Sequence, residues 1–141
     1  MSDFEQVERR IAGILGEDEV PDVDDVSLTR YLAYLKKNLE HPCHLTGIED
    51  FPWEERFVFG YGSESEYEKL KKTQPSYTDT FELIGFEEGV SEDRGILVKV
   101  RRMADKRKFT LPLADLEATD EQSKNYQLLN DFSVWFVNWG G

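Results

Sequence analysis

The segment Thr78–Glu117 constrains the fold of this chain more than any other, because it contains three short runs of alternating apolar and polar residues. Alternation with a period of two places every second side chain on one face of a β-strand. Charged or turn-forming residues, 87–95 and 104–108, separate the runs. The apolar positions are Phe81 and Leu83, then Ile96, Val98 and Val100, then Phe109, Leu111 and Leu113. The segment therefore predicts a three-stranded antiparallel meander with one buried face.

Amphipathic helices are predicted on both sides of this meander. In each of them, apolar residues recur every three or four positions and so share one helix face. Gly16 ends the first pattern, Ser27 can cap the second, and Ser63 with Glu66 forms a capping-box pattern at the third. The predicted helices span residues 4–15, 28–40, 63–72 and 125–139. A strand over 132–137 is the alternative for part of the last helix.

Three further segments lack a helical pattern. Glu17–Asp25 carries six carboxylates and a proline, which predicts an exposed linker. His41–Glu55 has two prolines, a glycine and no period, and it predicts a structured loop. Arg56–Gly60 is predicted as a short strand.

The expected fold class is α+β, a small bent antiparallel sheet or partial barrel packed with amphipathic helices. The 141 residues fit one domain, residues 1–141, in which residues 1–26 form an N-terminal helix and acidic linker. A chain of this length buries roughly two thirds of its unfolded surface. Its 39% hydrophobic content is too high for a disordered chain.

The single cysteine and the absence of long apolar runs indicate the cellular compartment of the protein. Cys43 is the single cysteine, so no disulfide forms within the chain, which suits a reducing environment. No apolar run approaches the roughly 20 residues of a membrane span, and the N-terminal residues lack a signal-peptide pattern. We expect a cytoplasmic monomer that does not associate with membranes.

The formal net charge of −12 sets up a negative field around the protein. Such a field repels the phosphates of nucleic acids and attracts cations and basic proteins. Nucleic acid is therefore not an expected partner. Since many acidic proteins bind no metal, the placement of the carboxylates matters more than their number.

Two groups of carboxylates are the candidate metal ligands. Calcium takes six to eight oxygen ligands from flexible loops, and like charges held close together repel one another until a cation joins them. One group lies in the loop before the predicted short strand, where Gly47 and Pro52 impose turns, and the other lies at the first turn of the meander and at its exit. The candidates are Glu49, Asp50, Glu54 and Glu55 in the first group, and Glu92, Asp93, Asp115 and Glu117 in the second.

Other interpretations of these residues stay open at this point. The first group also fits a solvated acidic loop, because acidic residues are usually exposed. If the last strand of the meander continued, Asp115 and Glu117 would project to one side and could share an ion with Glu92 and Asp93. They could instead begin a turn before the final helix. Asp131, among aromatic residues of the last helix, could be a buried partner for an arginine, or it could serve as a cap or in a salt bridge.

Motifs for other metal sites fail. An EF-hand starting at Asp22 would have Ser27 in place of the glycine and Ala33 in place of the bidentate glutamate. His41, Cys43 and His44 resemble half a zinc site, but structural zinc sites use two ligand pairs and the sequence has no second pair. A packed, unreactive Cys43 is the expected outcome.

The basic segment, Lys99–Lys108, contains six basic residues and one aspartate. It could bind phosphate. On so acidic a chain it more plausibly balances the acidic rim or prevents pairing of an exposed strand edge.

Several stretches together resemble the small cyanobacterial-type calcium-binding protein family, which does not use EF-hands. They are YLAYLKKNLEHPC, GILVKVRR, FTLPLADLEATD and NYQLLNDFSVWFVNW, within residues 30–139. The most specific are LPLADLE and LLNDFSVWF. The resemblance implies a compact α+β protein that binds calcium (Ca²⁺) through loop carboxylates and backbone oxygens. Relative to that family, residues 48–77 form an atypical insert, here called the insert segment.

The function predicted is a non-enzymatic calcium buffer or sensor. No nucleophile elbow, glycine-rich phosphate loop or His–carboxylate motif supports catalysis. The first alternative is an acidic protein-interaction module that holds a basic partner and has no specific ion site. The second is a hydrolase that uses Cys43 with His41 or His44, which requires an unusually reactive thiol.

Overall fold

The computed structural model describes residues 2–140, which contain five α-helices, five strands and two 3-10 helices. The helices are α1 (Asp3–Leu15), α2 (Asp25–Asn38), α3 (Glu55–Val58), α4 (Glu64–Lys71) and α5 (Lys124–Trp139). The strands are β1 (His44–Gly47), β2 (Phe81–Phe86), β3 (Leu97–Arg102), β4 (Lys108–Pro112) and β5 (Leu116–Ala118). The 3-10 helices are Pro52–Glu54 and Leu113–Asp115. No helix within residues 2–140 has the length and apolar character needed to cross a bilayer.

The strands form one antiparallel sheet in the order β4-β3-β2-β1-β5. The predicted meander is β2–β4, and the α+β fold class is confirmed. The sheet nevertheless has two more strands than the meander predicts, because β1 lies inside the segment expected to be a loop and β5 follows the last alternating run. These strands have only four and three residues, too few for alternation to be recognised.

The connection between β4 and β5 bends the sheet. These two strands form its opposite edges, which would lie about 19 Å apart in a flat five-stranded sheet. The three residues Leu113–Asp115 join them, and the four residue steps from Pro112 to Leu116 reach at most about 14 Å. The sheet must therefore curl, although it does not close. We call Leu113–Asp115 the crossing turn.

Helix α5 packs against β5, the crossing turn and α1, and its apolar residues belong to the same core as those of the sheet. Leu129, Phe132 and Trp135 are buried on the helix, and the Tyr31 hydroxyl of α2 donates to the carbonyl oxygen of Leu128 at 2.8 Å. The helical interpretation of residues 125–139 is thus confirmed over its strand alternative.

Two local predictions are wrong. Arg56–Gly60 does not form a strand: α3 covers its first part, and Gly60 follows in a turn at φ +86°, a backbone conformation that suits glycine. The N-cap of α2 is Asp24, not Ser27. Asp24 accepts from the Ser27 amide at 2.8 Å, while the Ser27 hydroxyl accepts from the Asp24 amide at 2.9 Å, so the two residues form a capping box and the cap lies three residues before the predicted one.

Arg102 departs from the exposed role expected of the basic segment. Its side chain is only 4% exposed. The guanidinium donates to the carbonyl oxygens of Lys71, Lys72 and Gln74, each at 2.9 Å, and pairs with Asp79 and Asp105 at 3.1 and 2.8 Å. These carbonyls lie at the C-terminal end of α4 and just after it, so Arg102 on β3 connects the insert segment to the sheet.

Asp131 on α5 pairs with an arginine, as the sequence indicates. Its two carboxylate oxygens accept from Arg10 of α1 at 2.7 and 2.9 Å, a bidentate arrangement. The Asp131 side chain is 1% exposed, whereas that of Arg10 is 36% exposed. Substitution of Arg10 and substitution of Asp131 should therefore lower the free energy of unfolding by different amounts.

We expect Arg10→Met to lower the free energy of unfolding by about 3 kcal/mol, because it leaves a buried carboxylate without its partner. Asp131→Asn removes the buried charge, and Arg10 can turn to water, so its expected cost is about 1 kcal/mol. Urea unfolding measures both values. Equal losses would contradict this account of the pair.

Candidate metal centre

Two backbone links bring the loop after β1 against the crossing turn. The amide of Ile48 donates to the carbonyl oxygen of Asp115 at 3.0 Å, and the amide of Gly47 donates to that of Tyr77 at 3.0 Å. A Cβ on residue 47 would lie 2.5 Å from the Cβ of Tyr77, so only glycine fits there. The candidate acids that follow, starting with Glu49, are thereby held beside Asp115.

The carboxylates of Glu49 and Asp115 repel each other. Burial first, and then the negative charge of Glu49, raise the pKa of Asp115 above its usual range. No protein group within residues 2–140 forms a hydrogen bond or ion pair that offsets this shift. Asp115 is therefore a half-buried carboxylate that lacks a positive partner.

Glu54 has a different role from its neighbours. It is fully buried, and its two oxygens accept four hydrogen bonds. The donors are the hydroxyls of Tyr67 and Ser76, at 2.8 and 2.6 Å, and the amides of Phe51 and Tyr77, at 3.1 and 2.9 Å. Because these hydrogen bonds use the lone pairs of its carboxylate, Glu54 stabilises the insert segment and has no lone pair free to bind a metal.

The remaining candidates lie at separate places. Asp50 is half-buried in the loop after β1, and Glu55 is exposed on α3. Glu92 and Asp93 are exposed in the β2–β3 connection, between the bridged residues Ser91 and Gly95.

Glu117 does not share the surroundings of Asp115. It lies on β5 opposite Thr46, and its pKa is raised by burial and then by the charge of Glu121. Asp115 belongs to the crossing turn, where the alternation of a strand does not apply. Asp115 and Glu117 therefore do not project to one side of a continued strand.

No complete metal site is assembled among the side chains. Within the described part of the chain, no three His, Cys, Asp or Glu residues converge closely enough to hold a metal ion. The Ile48–Asp115 backbone hydrogen bond places the loop of Glu49 and Asp50 beside Asp115, but no third side chain within residues 2–140 completes a metal site there. Residue spacing left open whether Asp115 shares an ion with Glu92 and Asp93 or begins a turn, because the pairing of β5 with β1 has no signal in the sequence.

Cys43 is unsuited to nucleophilic chemistry. It is buried, and burial raises the pKa of its thiol to about 11. A nucleophilic cysteine needs the opposite shift, toward the thiolate. The hydrolase alternative thus has no support at this position.

Comparisons with known proteins find one family model and solved structures of the same fold. The model of the family Calci_bind_CcbP, described as calcium binding, matches residues 24–136. A solved structure described as a calcium binding protein in the calcium-binding form has a TM-score of 0.57 and 20% identity, covering 97% of this chain and 96% of that one. The crystal structure of Anabaena CcbP has a TM-score of 0.56 and 20% identity, covering 97% and 94%. No curated protein sequence matches the chain significantly.

We expect Glu54→Gln to lower the free energy of unfolding by about 2 kcal/mol, because the amide nitrogen of glutamine would face donors that now bind a carboxylate oxygen. The matched control is Glu55→Gln on the neighbouring exposed residue, with an expected change within about 0.5 kcal/mol. Thermal and urea unfolding measure both. A neutral Glu54→Gln would show that the four hydrogen bonds do not stabilise the insert segment.

Proposed function

This chain belongs to the Calci_bind_CcbP family of calcium-binding proteins, and from that premise we propose that it binds calcium where Glu49 meets Asp115. The observation that carries the proposal is the unpartnered, half-buried carboxylate of Asp115 beside a second negative charge. A divalent cation between the two carboxylates would replace their repulsion by attraction to both.

The loop after β1 would supply the remaining oxygens. Calcium requires six to eight of them, and two carboxylates offer at most four. Asp50 and carbonyl oxygens of residues 48–53 are the nearest further candidates in the chain. Because no three acidic side chains converge within residues 2–140, binding must draw the loop inward, which costs conformational entropy and lowers the affinity.

A buffer or sensor in the cytoplasm fits this kind of site. Binding that orders a loop changes the surface of the protein and stabilises its fold by linkage. The buried carboxylate of Glu54 belongs to the same loop and is joined to α4 by Tyr67. Calcium would thus act on a segment that is already anchored at its far end, and the loop before Glu54 would move most.

We expect Glu49→Gln and Asp115→Asn each to weaken calcium binding by about tenfold, which corresponds to about 1.4 kcal/mol. Calorimetric titration at physiological salt, with magnesium as a comparison, measures the affinity. The matched control is Glu92→Gln with Asp93→Asn, two exposed acids outside the proposed site, with an expected change below about twofold.

The proposed site would be contradicted if the control variant lost as much calcium affinity as Asp115→Asn. Calcium affinity would then depend on the total negative charge and not on these carboxylates. This result would favour an acidic interaction module with diffuse attraction for cations, the alternative that the net charge alone supports.

We also expect Asp115→Asn to raise the melting temperature of the calcium-free protein at neutral pH by about 1–3 °C. The folded-state pKa of Asp115 is raised, so its ionised form costs stability above that pKa, and the cost disappears as the pH falls below the unfolded value. The gain should therefore vanish in acid. Differential scanning calorimetry at two pH values tests this, and a lower melting temperature at neutral pH would contradict it.

A further inference from the structure

The outer edge of β4 is an open strand edge, because β4 comes first in the order of the sheet and pairs with β3 alone. We propose that this edge binds an extended acidic segment of a partner protein as an added strand, with its carboxylates beside Lys99 and Lys108. This interaction goes beyond calcium binding and does not depend on it, since neither lysine belongs to the proposed calcium site.

The hydrogen bonds of the β3–β4 hairpin show which backbone groups of β4 face outward. The amide of Arg102 donates to the carbonyl oxygen of Arg107 at 2.7 Å, so this pair faces inward across the hairpin. Inward and outward groups alternate along an antiparallel strand, and the backbones of Lys108 and Thr110 therefore point away from β3. No loop or helix within residues 2–140 forms a backbone hydrogen bond with either residue. The edge thus offers two amides and two carbonyl oxygens to a partner.

The side chains beside this edge are basic. Lys99 and Lys108 are exposed on the outer face of the sheet, and Arg101 lies directly opposite Lys108. Like charges directly opposite each other destabilise a sheet, and Glu82, at 3.7 Å from Arg101, is the one acid within residues 2–140 that pairs with any of these three bases. Residues 99–108 carry six bases and one aspartate, a net charge of +5 on a chain of net charge −12. An acidic partner would offset the repulsion among these bases.

A peptide strand matches this edge better than other anions do. The outward amides and carbonyl oxygens repeat every two residues, about 6.8 Å, and an extended peptide presents donors and acceptors at the same spacing. The phosphates of nucleic acids or lipids offer acceptors only, so they would pair with none of the carbonyl oxygens. A second copy of β4 would bring its own bases against Arg101 and Lys108. The charges that disfavour pairing between copies therefore select an acidic strand.

The two faces of β4 specify the pattern of the partner segment. Lys108 and Thr110 are exposed on the outer face, whereas Phe109 is half-buried and Leu111 is buried on the inner face. The side chains of an added strand would continue both faces. The partner segment should therefore alternate acidic and apolar residues, and its acidic residues are the ones whose backbone would bond to Lys108 and Thr110.

Amide hydrogen exchange measured by NMR in calcium-free buffer at physiological salt is the test. The probe is the peptide acetyl-Glu-Val-Glu-Val-Glu-Val-Glu-amide. We expect saturable binding that slows exchange of the Lys108 and Thr110 amides by at least about fivefold, and no such protection from the same peptide with lysine in place of glutamate. Methylation of the glutamate backbone nitrogens of the probe should abolish the protection, while methylation of its valine nitrogens, which would point away from β4, should leave it.

Substitutions in the protein test the other side of the interface. Lys99→Gln with Lys108→Gln should weaken binding of the probe by about tenfold. The matched control is Lys36→Gln with Lys37→Gln, the same change of charge at two exposed lysines of α2, with an expected change below about twofold. Thr110→Pro removes an outward amide that the fold does not use, so it should weaken binding at an unchanged net charge, and an edge strand tolerates proline in this orientation.

An equal loss of affinity in the control variant, or absence of protection at the two amides, would overturn the proposal. Binding of the probe with methylated glutamate nitrogens as tightly as the unmodified probe would also overturn it, because the edge would then not be used. Binding of oligothymidylate as tightly as the probe would overturn it as well, since it would indicate a site for polyanions in general.

Discussion

The short path from β4 to β5 is the constraint on which the rest of the structure depends. Three residues carry the chain between opposite edges of a five-stranded sheet, which forces the sheet to curl. The backbone of the crossing turn is held on three sides: the Leu113 amide donates to the carbonyl oxygen of Ile96, the Ser133 hydroxyl to that of Ala114, and the Ile48 amide to that of Asp115. The side chain of Asp115 thus has a fixed, half-buried position next to a loop rich in acids.

Three charged groups near this loop show how differently burial can be compensated. Arg102 and Glu54 are both nearly inaccessible, yet each has its hydrogen-bonding capacity filled by groups that the fold supplies. Arg102 connects the insert segment to the sheet, and Glu54 connects parts of the insert segment to one another. Among residues 2–140, Asp115 has no such partners, and the charge of Glu49 raises its pKa further. This contrast with Arg102 and Glu54 is the physical basis of the proposed calcium site.

Strong periodicity and composition predicted most of the fold. The alternating runs identify β2–β4, and the apolar faces identify α1, α2 and α5, because burial of whole faces determines those elements. The strands β1 and β5 were missed, since elements of four and three residues owe their pairing to distant parts of the chain. For the same reason the sequence identifies the candidate carboxylates but does not show which of them lie close together in space. The pairing of Glu49 with Asp115 depends on β1 lying beside β5, and the internal role of Glu54 depends on donors more than ten residues away.

The most direct test of the central claim is a crystal structure of the protein grown with calcium. The account predicts an ion with oxygen atoms of both Glu49 and Asp115 at about 2.3–2.6 Å, completed by oxygens of the loop after β1. An ion bound elsewhere on the protein, with the carboxylates of Glu49 and Asp115 outside its coordination sphere, would contradict it.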